Sequence, residues 1–216
     1  MAVSAGATLT PAQARTLAAI RAELGRAARY DDESIVHDRW IRQRYECGCY
    51  LSYAPARQAV VRTAWHEAGH AVAAMAIGAR FSSASIHHGP GRRDHASEGR
   101  VHGVAGGGEL SFVVDAAGQV GERLMNWTLP ADAELQAWLA TWRRDGGDAR
   151  RFRQGIRPRF GTDEMAAWRF CAELLTPHRL RIRELARALV VHPAHLSYNV
   201  ARELAARDLP EFSGLS

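Results

Sequence analysis

The chain has 216 residues, 47% of them hydrophobic, and a formal net charge of +5. That is enough to bury one core, or one core with a small appendage, and with no apolar run approaching about 18 residues a membrane-spanning helix is excluded. All 28 basic residues are arginine, so a phosphate-binding loop of the form G-x-x-x-x-G-K-[ST] cannot be written in this chain.

The first residues are small and lack the basic-then-apolar order of a secretory signal. Cys47, Cys49 and Cys171 are too few and too unevenly placed for a disulfide framework, and the expected compartment is the cytoplasm. Thr10-Pro11 has the form of a helix start, with Thr10 as cap and Pro11 in the first position, and the helix is expected to reach about Ala28. Asp31-Asp32 opens a second helix through Ile35, Trp40 and Ile41 towards Tyr45. The two are expected to form an α-hairpin packed on the helix that follows a linker from Tyr45 to Ala54.

That next helix is expected from about Ala56 to a stop at Gly78, and it carries His66-Glu67-Ala68-Gly69-His70, an H-E-x-x-H motif. Residues four apart lie one above the other on a helix, so His66 and His70 can present two imidazoles to one metal ion. Glu67 projects about 100° round the axis from His66, beside the metal and not on it, where it can take a proton from a water on that metal. Thr63, His66, Glu67 and His70 form one polar stripe, and Val60, Ala64, Ala68, Ala71, Val72 and Met75 form the apolar remainder. So much alanine and valine beside a polar stripe describes a helix buried on most sides, whose polar groups need partners. Gly69 costs about 1 kcal/mol against alanine inside a helix, and close approach of another segment accounts for it.

After Gly78 the period changes. Phe81 to His87 alternates as a strand, Gly89 to Asp94 is a turn or loop, and Glu98 to His102 returns as a second strand. Such a ribbon beside the motif helix offers an edge to which an extended peptide can add. His87, His88, His95 and His102 lack regular spacing and are read as solvated, not as a second metal site. A helix is expected from about Glu109 to Asn126, with Asp115, Gly118 and Glu122 on one side. A short helix follows Pro130, carrying Trp138 and Trp142. Asp148 then stands at the start of another helix after the Gly146-Gly147 break, and Gly155 to Gly161, with Pro158, is read as a further break. Asp163 to Leu175 is helical, Thr176-Pro177 caps or kinks the chain, a helix resumes to about Val191, and a last one runs from Ser197 to Arg207. Three carboxylates compete for a third place on the metal. Glu122 lies mid-helix among small residues, Asp145 precedes the glycine pair, and Asp148 begins a helix where its charge suits the dipole. Local physics leaves the choice open.

The order of these motifs resembles the peptidase domain of the FtsH-type zinc metalloproteases, the M41 family. His66-Glu-Ala-Gly-His70-Ala71 is similar to its H-E-A-G-H-A, Ala117-Gly118-Gln-Val-Gly-Glu122-Arg-Leu124 to its A-G-x-x-x-E-x-L helix, and Gly147-Asp148-Ala-Arg-Arg-Phe152 to its N-D-L-x-x-A. The stretch from Cys171 to Leu189 resembles its long C-terminal helix, so the likeness covers about residues 56 to 207. The resemblance implies Zn²⁺ held by His66, His70 and Asp148, Glu67 as general base, Glu122 as a hydrogen-bond partner of a ligand imidazole, and hydrolysis of peptide bonds. The spacing from the Gly118 helix to Asp148 is longer than the family's, through the Trp138 segment.

The expected fold is mainly α, with a small β-ribbon beside the H-E-x-x-H helix: residues 1–55 form a helical extension and residues 56–216 an M41-like zinc peptidase domain. The expected enzyme is a cytoplasmic metalloendopeptidase acting on flexible or unfolded protein or peptide substrates. These residues carry neither the membrane anchor nor the AAA+ ATPase of the family, so a separate ATPase or adaptor is a candidate partner. Two other classes compete: a metal-holding interaction or regulatory module without catalysis, and an arginine-rich nucleic-acid binder. Intact Glu67 argues against the first. Against the second, clusters such as Arg150-Arg151-Phe152-Arg153 read as solvated helix faces.

Overall fold

A computed structural model of the protein describes residues 9–28, 30, 54–88, 97–142, 146–192 and 195–206. The expected second helix from Asp31 to Tyr45, most of the linker after it, Cys47, Cys49, His95 and Asp145 lie outside the described residues, as does the side chain of His88. The described chain is mainly helical, with one small antiparallel sheet.

Helix α1 (Pro11–Ala27) begins as its sequence dictates. The Thr10 hydroxyl accepts from the Gln13 backbone N–H at 3.2 Å, and the Gln13 side chain accepts from the Thr10 N–H at 2.9 Å, a reciprocal cap. Leu17, Ile20 and Leu24 form its buried face and join the same core as the rest of the molecule. That face packs chiefly on two C-terminal helices, α7 (Arg179–Val191) and α8 (Tyr198–Ala205), not on the motif helix as expected. The buried Arg187 of α7 explains part of this: its guanidinium donates to the carbonyls of Ala27 at 2.7 Å and Tyr30 at 3.3 Å, satisfying the end of α1.

Helix α2 (Ala54–Ala76) carries the H-E-x-x-H motif through the middle of the molecule. Val60, Ala64, Trp65, Ala68 and Ala71 to Met75 are all buried, so the helix is enclosed on nearly every side. Gly78, at φ 72°, ends it: its N–H reaches the Met75 carbonyl at 3.2 Å while the Ala79 N–H reaches the Ala74 carbonyl at 2.8 Å.

Strands β1 (Ser83–His88) and β2 (Ser97–His102) pair antiparallel, Ser83 opposite His102 and Ile86 opposite Gly99. A third strand, β3 (Leu196–Ser197), was not expected; it pairs with the other edge of β1, so the order is β2-β1-β3 and no described strand pairs with the outer edge of β2.

Helix α3 (Ser111–Met125) is the chief neighbour of α2 and crosses it at very short range. A Cβ on Gly69 would run into the Ala117 carbonyl, and one on Gly121 would stand 2.5 Å from the Trp65 carbonyl oxygen. Helices α5 (Gly146–Phe160) and α6 (Glu164–Leu175) pack on α3, and α4 (Asp132–Trp142) packs in turn on α6. The break expected at Gly155 to Gly161 is corrected here, because α5 continues through Gly155 and Pro158 to Phe160. Gly155 serves packing: a Cβ there would stand 2.8 Å from the Phe112 Cβ. Pro158 sits in the last turn, and the helix ends at Gly161, φ 60°. Asp163 caps α6 by accepting from the Ala166 N–H at 2.9 Å, and a 3₁₀ turn over Thr176–His178 leads into α7. No described helix is long and apolar enough to cross a membrane.

Candidate metal centre

On α2 the His66 and His70 rings lie 4.7 Å apart, with an interplanar angle of 74°. Each ring is fixed through its Nδ1. His66 Nδ1 lies 2.6 Å from Oε1 of Glu122 on α3, and His70 Nδ1 lies 2.6 Å from the Val114 carbonyl on the same helix. A carbonyl only accepts, so His70 carries its proton on Nδ1 and leaves Nε2 with a lone pair to offer. Gly118 leaves the space into which both Nε2 atoms turn: a Cβ there would run into His66 Nε2 and stand 2.5 Å from His70 Nε2.

Asp148, in the first turn of α5, brings the third group. Its Oδ2 lies 3.6 Å from His70 Nε2 and 3.9 Å from His66 Nε2. Among the described residues His66, His70 and Asp148 are the group that can hold a metal ion, with all ligand atoms within 4.8 Å of one another. Two ligands on a tetrahedral ion at about 2.0–2.1 Å stand about 3.4 Å apart, so the separations fit one ion after small movements. The donor set of two imidazoles and one carboxylate suits zinc and also other divalent first-row ions.

Glu122 and Asp148 therefore have different places, a distinction local physics had left open. Glu122 backs His66 from behind its ring, while Asp148 faces both Nε2 atoms. The second oxygen of Asp148 is paired with Arg151, whose Nε donates to Asp115 Oδ1 at 2.7 Å. Asp115, Gly118 and Glu122, at i, i+3 and i+7, thus form one face of α3 towards the site. Arg151, one turn from Asp148, was missed as a site residue, and so was Gly99. The Val114 carbonyl leaves no trace in a sequence.

Glu67 is 5% exposed and receives no hydrogen bond among the described residues. Gly99 of β2 packs directly on it, for a Cβ there would run into Glu67 Cγ. Its carboxylate opens instead to two lobes of one cleft. The larger, about 920 Å³, is lined by Glu67, His70, Arg100, Ser111, Asp148 and Arg151 among others. The smaller, about 520 Å³, includes Thr63, His66, Glu67, His87, Arg100 and His102. Neither His87 nor His102 joins a metal-ligand group with other described residues.

The electrostatics of these protein groups follow from this packing. Burial pushes Glu67 up to about 7, against the charge of His66 and with that of Asp148. Burial, with the charge of His66, pushes His70 down to about 4. Burial would also depress His66, but the Asp148 and Glu122 carboxylates outweigh it and raise that imidazole to about 10. Asp148 is partly buried, which opposes its ionisation, yet His66, His70 and Arg151 hold it below the usual carboxylate range.

Comparison of the chain with protein-family profiles, with curated proteins and with solved structures gave no match.

Proposed function

We propose that the protein is a zinc-dependent endopeptidase of the M41 type, acting in the cytoplasm on flexible or unfolded chains. The observation that carries this reading is Glu67: a buried carboxylate with no hydrogen-bond donor among the described residues, open to a cleft, beside a group able to hold a metal ion. A carboxylate this deep is costly to ionise, and one is retained where chemistry uses it. Structural need alone would favour an apolar side chain between Gly99 and the core.

His66, His70 and Asp148 would hold the ion, which supplies a Lewis acid for the carbonyl and lowers the pKa of water to about 7. The chain's own residues do the rest. Glu122 and the Val114 carbonyl hold both imidazoles with Nε2 inward, and Arg151 holds Asp148 in turn. Glu67 takes a proton from the attacking water and delivers it to the leaving amine, a role suited to a carboxyl titrating near neutrality. The edge of β2 that no described strand pairs, next to Glu67 through Gly99, offers backbone groups to an extended peptide.

Elemental analysis of purified protein, coupled to casein cleavage by wild type and Glu67→Gln, tests the reading. About one zinc per chain in both, with cleavage in the wild type alone, is the expected result. Cleavage retained by Glu67→Gln would remove the base from the mechanism.

A further inference from the structure

Nearly every charge around the cleft is answered by another. Asp115 and Asp148 both engage Arg151. Glu122 engages His66 at 2.6 Å and, more distantly, Arg62 at 3.9 Å. Among the described residues Glu67 lacks a hydrogen-bonded partner, and so does Arg100. Arg100 sits on β2 next to Gly99, lines both lobes, is exposed, and forms no ion pair among the described residues. Glu67 lines both lobes with it, so Arg100 shares the cleft with the carboxylate assigned as the base. A guanidinium with no ion pair among the described residues, beside a strand edge that no described strand covers, stands where the side chains of an added peptide would pass. Arginine offers a planar fork of donors that matches a carboxylate.

We propose that Arg100 selects substrates by binding an aspartate or glutamate side chain in the residues flanking the scissile bond. This rests on the reading of the cleft as a peptidase site. Two charges in a partly solvated cleft, joined by charge-assisted hydrogen bonds, are worth about a tenfold preference. Raising the ionic strength weakens it, because the pair stays open to solvent.

The test uses matched peptides that differ only in an acidic, neutral or basic residue near the cleavage point. It takes kcat/KM on the active protein and, independently, binding of labelled peptides to Glu67→Gln by fluorescence anisotropy. The expected acidic-to-neutral ratio is about ten for Arg100, close to one for Arg100→Gln, and inverted towards basic peptides for Arg100→Glu. Cleavage without an acidic preference, or with a preference that survives Arg100→Gln, overturns the proposal and leaves hydrolysis standing. So does an Arg100→Gln effect confined to the acid limb of the pH profile, since the cation would then serve Glu67 alone. Selective binding lost in Arg100→Gln, with no peptide cleaved, sustains the assignment of Arg100 and overturns the hydrolytic reading. Neither binding nor cleavage of any peptide overturns both.

Discussion

Glu67 and His70 are both buried on one turn of α2, and burial drives each towards its neutral form: the carboxyl up to about 7, the imidazole down to about 4. Neutral imidazole is what a metal requires, while ionised carboxylate is what a general base requires, so a bound cation would favour the working state of both. Glu67→Gln is therefore expected to keep the metal and to lower hydrolysis by at least about 10²-fold, the usual contribution of general-base catalysis. The roles of Asp148 and Glu122 separate in the same way. Asp148→Ala removes the only carboxylate facing both Nε2 atoms among the described residues and leaves Arg151 with one anion fewer. Glu122→Ala leaves the donors in place but frees the His66 ring to turn, which weakens affinity by about 10- to 100-fold. Competition with a chelator orders the two, with Asp148→Ala the more severe. The reverse order would make Glu122 the ligand.

The α2–α3 crossing is where helix packing and site geometry meet, because the glycines that let the backbones approach also seat the imidazoles. Gly69→Ala would set a Cβ against the Ala117 carbonyl and is expected to cost about 1–3 kcal/mol, as overpacking does. Gly25→Ala lies in open space on α1 and is expected to gain about 0.5–1 kcal/mol from the lost flexibility of glycine. Urea midpoints of the two variants should move in opposite directions, and a neutral Gly69→Ala would show that the crossing can relax. Such contacts mark the limit of what a sequence reveals. The two-histidine face, the Gly78 stop, the Thr10 cap and the ribbon beside α2 all follow from periods and turn chemistry within a few residues. Pairing β3 with β1 joins segments more than a hundred residues apart through two residues, too short for any period to register. Gly155 and Pro158 read as a break because glycine and proline punctuate locally, whereas tertiary packing on Phe112 decides their place in α5. Local physics leaves Asp148 level with Glu122 and Asp145, and only the family resemblance distinguishes it, because which carboxylate meets the imidazoles depends on how α3 and α5 pack on α2.

At the scale of the molecule, the fold draws the site together from α2, α3 and α5, and its packing sets which protons a metal would have to displace. His66 is raised to about 10 by Asp148 and Glu122 against the pull of burial, while His70 is lowered to about 4. The first contributes stability that is present below the unfolded value of about 6.5 and fades as pH climbs through 10. The second is a group buried neutral, so its contribution is present above about 6.5 and is lost as pH falls towards 4. Between these limits His70 needs no deprotonation to bind a cation, and His66 must release one proton. Metal affinity should therefore rise about tenfold per pH unit near pH 8, with about one proton released per ion bound, and more steeply near pH 6, where Glu67 gives up a second proton. Calorimetric titration with zinc in buffers of differing ionisation enthalpy measures both quantities. A flat affinity with no proton released would show that His66 is already neutral, and that the carboxylates of Asp148 and Glu122 share their charge elsewhere. Glu122→Gln, which weakens the hold on the His66 proton, should reduce the slope while leaving the His70 side of the site unchanged.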